Sequence, residues 1–339
     1  MPNWVGDVVM ATPALRALRA HFADAHITIV VRERVEPVLR KSECFDEAII
    51  YRPAEDGAAA DFLRCVGLLR GGRYEIGLVM PNSFSSALMF RLAEVRRRVG
   101  YARDWRSFLL TDAVARPSED GRFKPTYMVD YYLALCERLG IRNPGRDTEL
   151  PFDEANVAEA EAILLSSGVG PGEDLFLLHP GAGFGPSKRW PEARFAELAE
   201  MLLEKYGGHV ALIGVPGEQH TIRAIAAGSA VPIVDLSDRG VDLHLLKCVV
   251  ARSKLLVTTD SGPRHYGVAL RVPTVCVMGP THPGYSTSTR AHDHVVRLDV
   301  ECGPCQRKAC PLDHRCMEEI TAQMVFGACQ RALKSGGGA

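Results

Sequence analysis

The second half of the chain limits the possible folds most strongly. Five apolar β-like runs recur there: Leu175–His179, His209–Ile213, Pro232–Val234, Leu255–Thr259 and Thr274–Met278. Helix-length segments separate them: Pro191–Tyr206, Glu218–Ala227, Leu243–Ala251 and Arg264–Leu270. Short apolar strands alternating with helices predict a parallel, doubly wound sheet. Such sheets bind ligands outside the carboxyl ends of their strands. Those ends are where this half keeps its glycines, hydroxyls and charges.

The first half has the same rhythm, less clearly. His26–Val31, Glu47–Tyr51 and Tyr74–Met80 read as strands. Short helices are expected around Val35–Leu39, Ala58–Leu69 and Ala87–Leu92, the last capped by Ser83 or Ser85. A further helix, Tyr127–Leu139, ends at Gly140. The opening helix starts near Asp7, with Val8, Ala11, Leu15 and Leu18 on one face and Arg16 and Arg19 off it. An α/β domain normally opens with a strand, so a start upstream of Met1 is expected. A stretch rich in Pro, Gly and acids around 145–172 reads as a linker, with a short helix near Glu154–Ser167. With 339 residues, two domains fit: 1–150 and 170–325, followed by a helix end and flexible tail over 326–339.

Composition excludes several classes. Apolar residues make up 47% and charged residues 24%, as in a globular domain. A net charge of -1 gives no overall attraction to nucleic acid. No apolar run is long enough to cross a membrane, and no signal peptide is read at the N-terminus, so a cytoplasmic protein is expected. Of ten cysteines, Cys44, Cys65, Cys136, Cys248 and Cys276 read as reduced core residues.

Four stretches could carry chemistry. His179-Pro180-Gly181-Ala182-Gly183-Phe184-Gly185-Pro186-Ser187-Lys188-Arg189-Trp190-Pro191 follows a strand and precedes a helix. Its backbone N–H groups and Lys188 suit a diphosphate, although its spacing matches neither the dinucleotide fingerprint nor the P-loop. Asp260-Ser261-Gly262-Pro263-Arg264-His265 forms a second helix start; Asp260 or Ser261 can cap it and Pro263 suits its first turn. Glu218 stands where an acid bonds ribose hydroxyls in nucleotide folds, or is only a first-turn acid. Asp7, behind Gly6, is either a helix cap or a catalytic carboxylate. Arg91, Arg96, Arg97, Arg98, Arg103 and Arg106, with Tyr101 and Trp105, form a solvated face or a pocket for an anionic substrate. Cys302, Cys305, Cys310 and Cys316, with His314 among them, are reduced thiols, a structural metal site or disulfides.

These residues carry a resemblance. The segments Asn3–Asp7 with Met10–Leu15, Pro81–Leu88, Arg98–Tyr101, Tyr127–Tyr132, Gly181–Pro191 and Asp260–Gly262 resemble the ADP-heptose:lipopolysaccharide heptosyltransferases, most closely the heptosyltransferase II type. The resemblance implies a GT-B fold, two Rossmann-like domains facing a cleft. It implies inverting, metal-independent transfer of L-glycero-D-manno-heptose from ADP-heptose to the inner core of lipopolysaccharide, the second heptose onto the first. The acceptor would be Kdo2-lipid A carrying one heptose. A monomer at the cytoplasmic face of the inner membrane, in peripheral contact with it, is implied, with no nucleic acid and no required cofactor. Asp7 would be the general base, and Lys188 would act on the leaving diphosphate. The donor would be held by Gly183, Ser187, Lys188, Glu218, Asp260, Ser261, Gly262 and His265. The acceptor would meet Asn3, Gly6, Asn82, Ser83, Arg98, Arg103 and Arg106. Arg264 departs from the expected pattern, adding a charge near the donor or covering the helix surface. No Asp-x-Asp pair offers metal ligands. The alternatives are another nucleotide-sugar enzyme, such as a 2-epimerase, and a metal-binding protein built on the cysteine cluster.

Overall fold

The computed structural model describes residues 1–53 and 58–336. The chain forms two compact units, Met1–Glu149 and Leu150–Ala339; its last three residues lie outside the described part.

The first unit runs α1 (Val5–His21), β1 (Thr28–Arg32), a 3-10 turn over Glu33–Leu39, β2 (Glu47–Tyr51), α2 (Ala58–Gly72), β3 (Ile76–Val79), α3 (Phe84–Leu92), β4 (Arg97–Tyr101), β5 (Asp112–Val114), a hairpin of β6 (Ser118–Glu119) and β7 (Arg122–Phe123), and α4 (Met128–Glu137). The parallel strands fall into two sets, β1–β2 and β3–β4–β5, rather than the single sheet expected. Between them, Tyr74 Oη donates to Thr28 Oγ1 at 2.6 Å. Strand β4 hides under its arginines. Arg97 pairs with Asp112 of β5 at 2.9 Å. The Arg98 guanidinium donates to the carbonyls of Leu109 at 2.7 Å, Arg96 at 3.2 Å and Val95. Guanidinium heads can turn back onto backbone acceptors while their stems cover the sheet.

Helix α1 is buried more broadly than one face: Val9, Met10 and Ala14 join Val8, Ala11 and Leu15, and the helix packs against α4. The segment before it is braced. The Met1 ammonium donates to the Val30 carbonyl at 2.6 Å. Arg34 donates to the Asn3 carbonyl at 2.9 Å and lies over the Trp4 ring at 5.3 Å.

The second unit begins with α5 (Glu154–Ser166) and continues β8 (Leu175–His179), α6 (Glu192–Tyr206), β9 (His209–Leu212), α7 (Gln219–Gly228), β10 (Val234–Asp235), α8 (Leu246–Arg252), β11 (Leu255–Thr259), α9 (Gly262–Ala269), β12 (Thr274–Val277), α10 (Pro283–Ser286), β13 (Asp293–Val296), α11 (Arg315–Glu318) and α12 (Ala322–Gly336). Helix α5 lies within the stretch expected as linker. An Asp153–Asn156 capping box starts it, and Asn156 reaches His244 at 3.0 Å, tying it into this unit. The six-stranded sheet has the order β10-β9-β8-β11-β12-β13, all parallel. This is the Rossmann order, and it reverses between β8 and β11. Phe176, Leu178, Val257, Val275 and Val277 of the sheet pack under Trp190, Phe195 and Leu198 on one side of the sequence and Val325, Ala328 and Cys329 on the other. The sixth strand, β13, was not among the five expected. It opens on Asp293, whose charge masks the apolar pattern.

Candidate functional site

The switch point of the second unit gathers most of the residues expected on the donor. His179 ends β8, and Thr258 and Thr259 end β11. The His179 Nδ1 lies 3.2 Å from both Thr258 Oγ1 and Ser261 Oγ. Burial lowers the His179 pKa, although Glu218, 3.8 Å away, works against that. The loop after β8 is then fixed by backbone contacts. Thr259 Oγ1 donates to the Gly181 carbonyl at 2.5 Å. Glu218 accepts from the backbone N–H of Ala182 at 3.2 Å and of Val215 at 3.1 Å. A Cβ on Gly181 would run into the Glu218 carboxylate, whereas one on Gly183 would meet nothing within 4 Å. A side chain at 181 would therefore displace the Glu218 carboxylate from Ala182 and Val215, while there is space beside Gly183.

Helix α9 starts at the same place. Its N-cap, Ser261, makes no side-chain cap, its first turn holds no acid, and Pro263 sits at the start. Two consequences follow from these facts. The first N–H groups are offered without a side-chain acceptor, and the positive end of the helix is not neutralised from within. Lys188 lies alongside, its Nζ donating to the Asp260 carbonyl at 2.6 Å and to Asp260 Oδ2 at 2.8 Å.

Asp260 is the hub of a buried charge network rather than an exposed donor ligand. It accepts from Thr281 Oγ1 at 2.6 Å, Ser286 Oγ at 2.8 Å and Arg264 Nη1 at 3.3 Å. Burial alone would raise its pKa. The Lys188 and Arg264 charges and the hydrogen bonds outweigh that and hold it well below the usual carboxylate range. Arg264 neither covers the surface nor faces a ligand. It is 0% exposed and grips Asp293 through Nε at 3.1 Å and Nη2 at 2.9 Å. Burial works to lower its pKa, yet Asp293 and Asp260 raise it. His265 is buried and its pKa is pushed down to about 4, by burial first and then by the Arg264 charge. Its imidazole is neutral at pH 7.

Ser187 does not turn its hydroxyl to a donor. The side chain is buried and donates to the Arg307 carbonyl at 2.5 Å. A serine in a Gly-rich loop reads as a phosphate ligand, and nothing local in the sequence reveals an acceptor 120 residues away.

In the first unit, Asp7 is not the cap. Trp4 occupies the N-cap without a side-chain bond, and Asp7 is the acid of the first turn. It lies near Tyr132, whose hydroxyl is pushed well up by burial and then by the Asp7 charge. The loop after β3 is held from beneath by Arg106, which is fully buried. Its guanidinium donates to the carbonyls of Tyr101 at 3.0 Å, Ser83 at 3.1 Å and Pro81, and to Asn82 Oδ1 at 3.3 Å. Tyr131, stacked on Tyr101 at 3.8 Å, also donates to Asn82 Oδ1, at 3.1 Å. Both donors hold the amide by its oxygen. Arg106, expected on the acceptor, is thus a brace of the Asn82–Ser83 loop, and Arg98 is likewise spent on carbonyls. Ser83 caps α3, accepting from the Ser86 N–H at 3.2 Å. Arg103 stays half-buried, over the Phe123 ring at 5.4 Å.

All ten cysteines are free thiols. Cys316 is buried, and its thiol is pushed up to about 11 by burial first and then by Cys302, Cys310 and Cys305. Among the described residues, no group of three or more His, Cys, Asp or Glu is arranged to hold a metal ion.

Sequence reasoning gave no role to His179, Thr259, Thr281, Ser286, Asp293 or Tyr131, although His179 and Tyr131 lay within stretches it singled out. Polar residues closing an otherwise apolar strand, as in Leu175–His179, were the available signal for the first two.

Comparisons with known proteins address the family and the fold. The sequence profile of glycosyltransferase family 9 (heptosyltransferase) matches residues 63–315. Lipopolysaccharide heptosyltransferase 2 of Salmonella typhimurium is 31% identical over 307 residues, 88% of this chain and 86% of that protein. The protein of the same name from Escherichia coli K12 is 29% identical over 335 residues, 96% and 94% of the two chains. The structure of E. coli ADP-heptose LPS heptosyltransferase II is 27% identical, with a TM-score of 0.80 over 98% of this chain and 97% of that one. A family 9 glycosyl transferase from Veillonella parvula shares the fold, with a TM-score of 0.83 at 22% identity over 97% and 94% of the chains. The chain belongs to glycosyltransferase family 9, the heptosyltransferases, and is a glycosyltransferase of the GT-B fold.

Proposed function

We propose that this chain moves L-glycero-D-manno-heptose from ADP-heptose onto the inner core of lipopolysaccharide, adding the second heptose to the first. The observation that carries the reading is the start of α9, uncapped and free of acid, beside Lys188 at the switch point of a Rossmann-ordered sheet. Such a helix end suits a diphosphate. The relatives named above support the donor and the acceptor.

In this reading Asp7 takes the proton from the acceptor hydroxyl as that oxygen bonds to the anomeric carbon. The bond to ADP breaks on the opposite face and its electron pair leaves with ADP, so the configuration inverts. Charge on the departing diphosphate is met by Lys188 and the α9 N–H groups, which serves the purpose of a metal ion without one. Glu218 holds the ribose, with its two oxygens already aimed by Ala182 and Val215. Asn3, Gly6, Asn82, Ser83 and Arg103 meet the acceptor.

An acceptor carried on Kdo2-lipid A would be reached at the cytoplasmic face of the inner membrane, by a monomer in peripheral contact with it. Near the Asn82–Ser83 loop, Trp105 is 94% exposed and Phe108 74%, with Phe84 6.1 Å from Phe108. Exposed aromatics of this kind favour a membrane–water interface. No helix of the described residues is long and apolar enough to cross one.

The test is ADP release with ADP-heptose and a one-heptose core acceptor, with and without chelator. We expect turnover that needs both substrates and survives chelation. Release that proceeds equally with another nucleotide sugar, or that stops on chelation, would overturn the donor or the metal-free assignment respectively.

A further inference from the structure

The cysteine-rich segment, residues 302–316, has no part in the chemistry above, yet it is built directly onto the Gly-rich loop. Ser187 is 2% exposed, and every polar group it has is bonded to that segment. Its N–H donates to the Lys308 carbonyl at 3.1 Å and its hydroxyl to the Arg307 carbonyl at 2.5 Å. Its own carbonyl lies 2.6 Å from His314 Nε2. A carbonyl oxygen can only accept, so Nε2 carries the proton and Nδ1 is the acceptor nitrogen when the ring is neutral. Glu318 Oε1 stands 3.6 Å from that Nδ1. The loop and the segment also touch through backbone at Gly185, where a Cβ would collide with the Lys308 carbonyl.

The segment is anchored elsewhere too. Gln306 N–H donates to the Pro280 carbonyl at 2.9 Å. A Cβ on Gly279 would sit 2.6 Å from Met317 Sδ and 2.9 Å from Cys316 Sγ, so that strand end admits both side chains closely. Trp190, at the far end of the loop, donates to the Ile320 carbonyl at 2.8 Å. The Gly-rich loop is therefore pinned at Gly185, Ser187 and Trp190 by one stretch of chain more than 100 residues later. Lys188 is the next residue after the central pin.

We infer that the segment 302–316 is a strap that places Lys188 for the donor diphosphate, with His314 as a positioning residue acting through the Ser187 backbone. The inference rests on the reading that Lys188 holds the diphosphate. A lysine is a flexible point charge. Asp260 and the Phe184 ring, 5.0 Å away, hold its ammonium, and the backbone from which the side chain reaches them must be placed as well. The strap places it through two backbone carbonyl acceptors and one imidazole donor, all supplied by the protein itself. Ser187 is thus a structural serine, and of the segment's cysteines Cys316 is the buried one, close to Gly279.

The test compares ADP affinity by titration calorimetry, and KM with kcat for donor and acceptor, in His314→Ala, His314→Gln and Lys188→Ala. For His314→Ala we expect ADP affinity and donor KM to worsen about tenfold. Acceptor KM should stay within about twofold, since a positional defect confined to this loop does not reach the acceptor. His314→Gln, whose amide nitrogen can replace Nε2 as donor, should recover most of the loss. Unchanged ADP affinity in a folded His314→Ala protein, while Lys188→Ala loses it, overturns the strap and leaves the Lys188 reading intact. Unchanged affinity in Lys188→Ala overturns the underlying reading itself. Should His314→Ala fail to fold, Ser187→Ala removes only the bond to Arg307 and is expected to weaken ADP about threefold; no change there also overturns the strap.

Discussion

Two helix starts in this molecule look alike and draw their negative charge from different sources. Neither α1 nor α9 has a side-chain cap. In α1 the first turn carries Asp7; in α9 it carries no acid, and Arg264 within it is turned inward to Asp260 and Asp293. A carboxylate in the first turn is stabilised in its charged form by the helix end, and uses up the site for any other anion. A first turn without one keeps that site for a ligand. The same local element thus carries its own carboxylate in one unit and leaves its N–H groups open in the other. The difference comes from where one acid stands, and both cases depend on the N-cap residue leaving the N–H groups alone.

The comparison can be broken most severely at α1. Asp7→Asn should lower kcat about 10²–10⁴-fold, the usual weight of a general base, with ADP affinity within about twofold of wild type; coupled ADP-release kinetics would read both. Equal turnover would leave α1 with nothing but an ordinary first-turn acid. Next comes the scaffold behind α9. Arg264→Met leaves Asp260 and Asp293 short of their buried counter-charge and should cost about 3–5 kcal/mol of stability, read from urea unfolding midpoints. A loss under about 1 kcal/mol would mean the network is hydrated and not the support described here.

A smaller effect sharpens the contrast directly. Ser261→Asp gives the start of α9 an acid, at its N-cap. It should raise stability by about 0.5–1 kcal/mol while weakening ADP binding about tenfold. Calorimetry showing tighter ADP would refute the anion assignment. The last test is in pH, and at pH 7 its effect is close to nil. His265 has a folded pKa of about 4 against an ordinary 6.5, so the unfolded chain takes up a proton that the folded one refuses. Stability should therefore be flat above about pH 6.5 and fall as pH drops from there toward 4. In His265→Gln that slope should be shallower in urea titrations; an unchanged slope would assign it to other groups, among them the buried His179.

Much of the second unit was legible because its strands are buried on both faces. Leu175–His179 and Leu255–Thr259 were bounded correctly from apolar runs alone. Besides short elements of two to four residues such as β5–β7 and α10, the elements missed are those where charge overrides pattern. In β4, consecutive arginines sit in a strand because their guanidinium groups bond Asp112 and nearby carbonyls. In β13, Asp293 is tolerated because Arg264 neutralises it. The site divides the same way. The Gly-rich loop and the α9 start were visible as motifs, since glycine, proline and hydroxyls act locally. The roles of Ser187 and Arg106 were not, because their partners are mostly backbone carbonyls, which every residue has and no sequence displays. The expectation that Asp7 stands at or before the first turn was close; the cap itself passed to Trp4, whose side chain gives no sign of it.

The quartet of Lys188, Asp260, Arg264 and Asp293 has one more consequence. Two cations and two anions neutralise one another inside the protein. Few dissolved counter-ions need gather there, and few would be released when a diphosphate arrives. Attraction would come from short-range contacts rather than from a field reaching into solvent, where salt screens within about 10 Å at 0.1 M. Donor affinity should then change little with ionic strength. A soluble nucleotide sugar would be held about equally well across the salt concentrations a cell passes through.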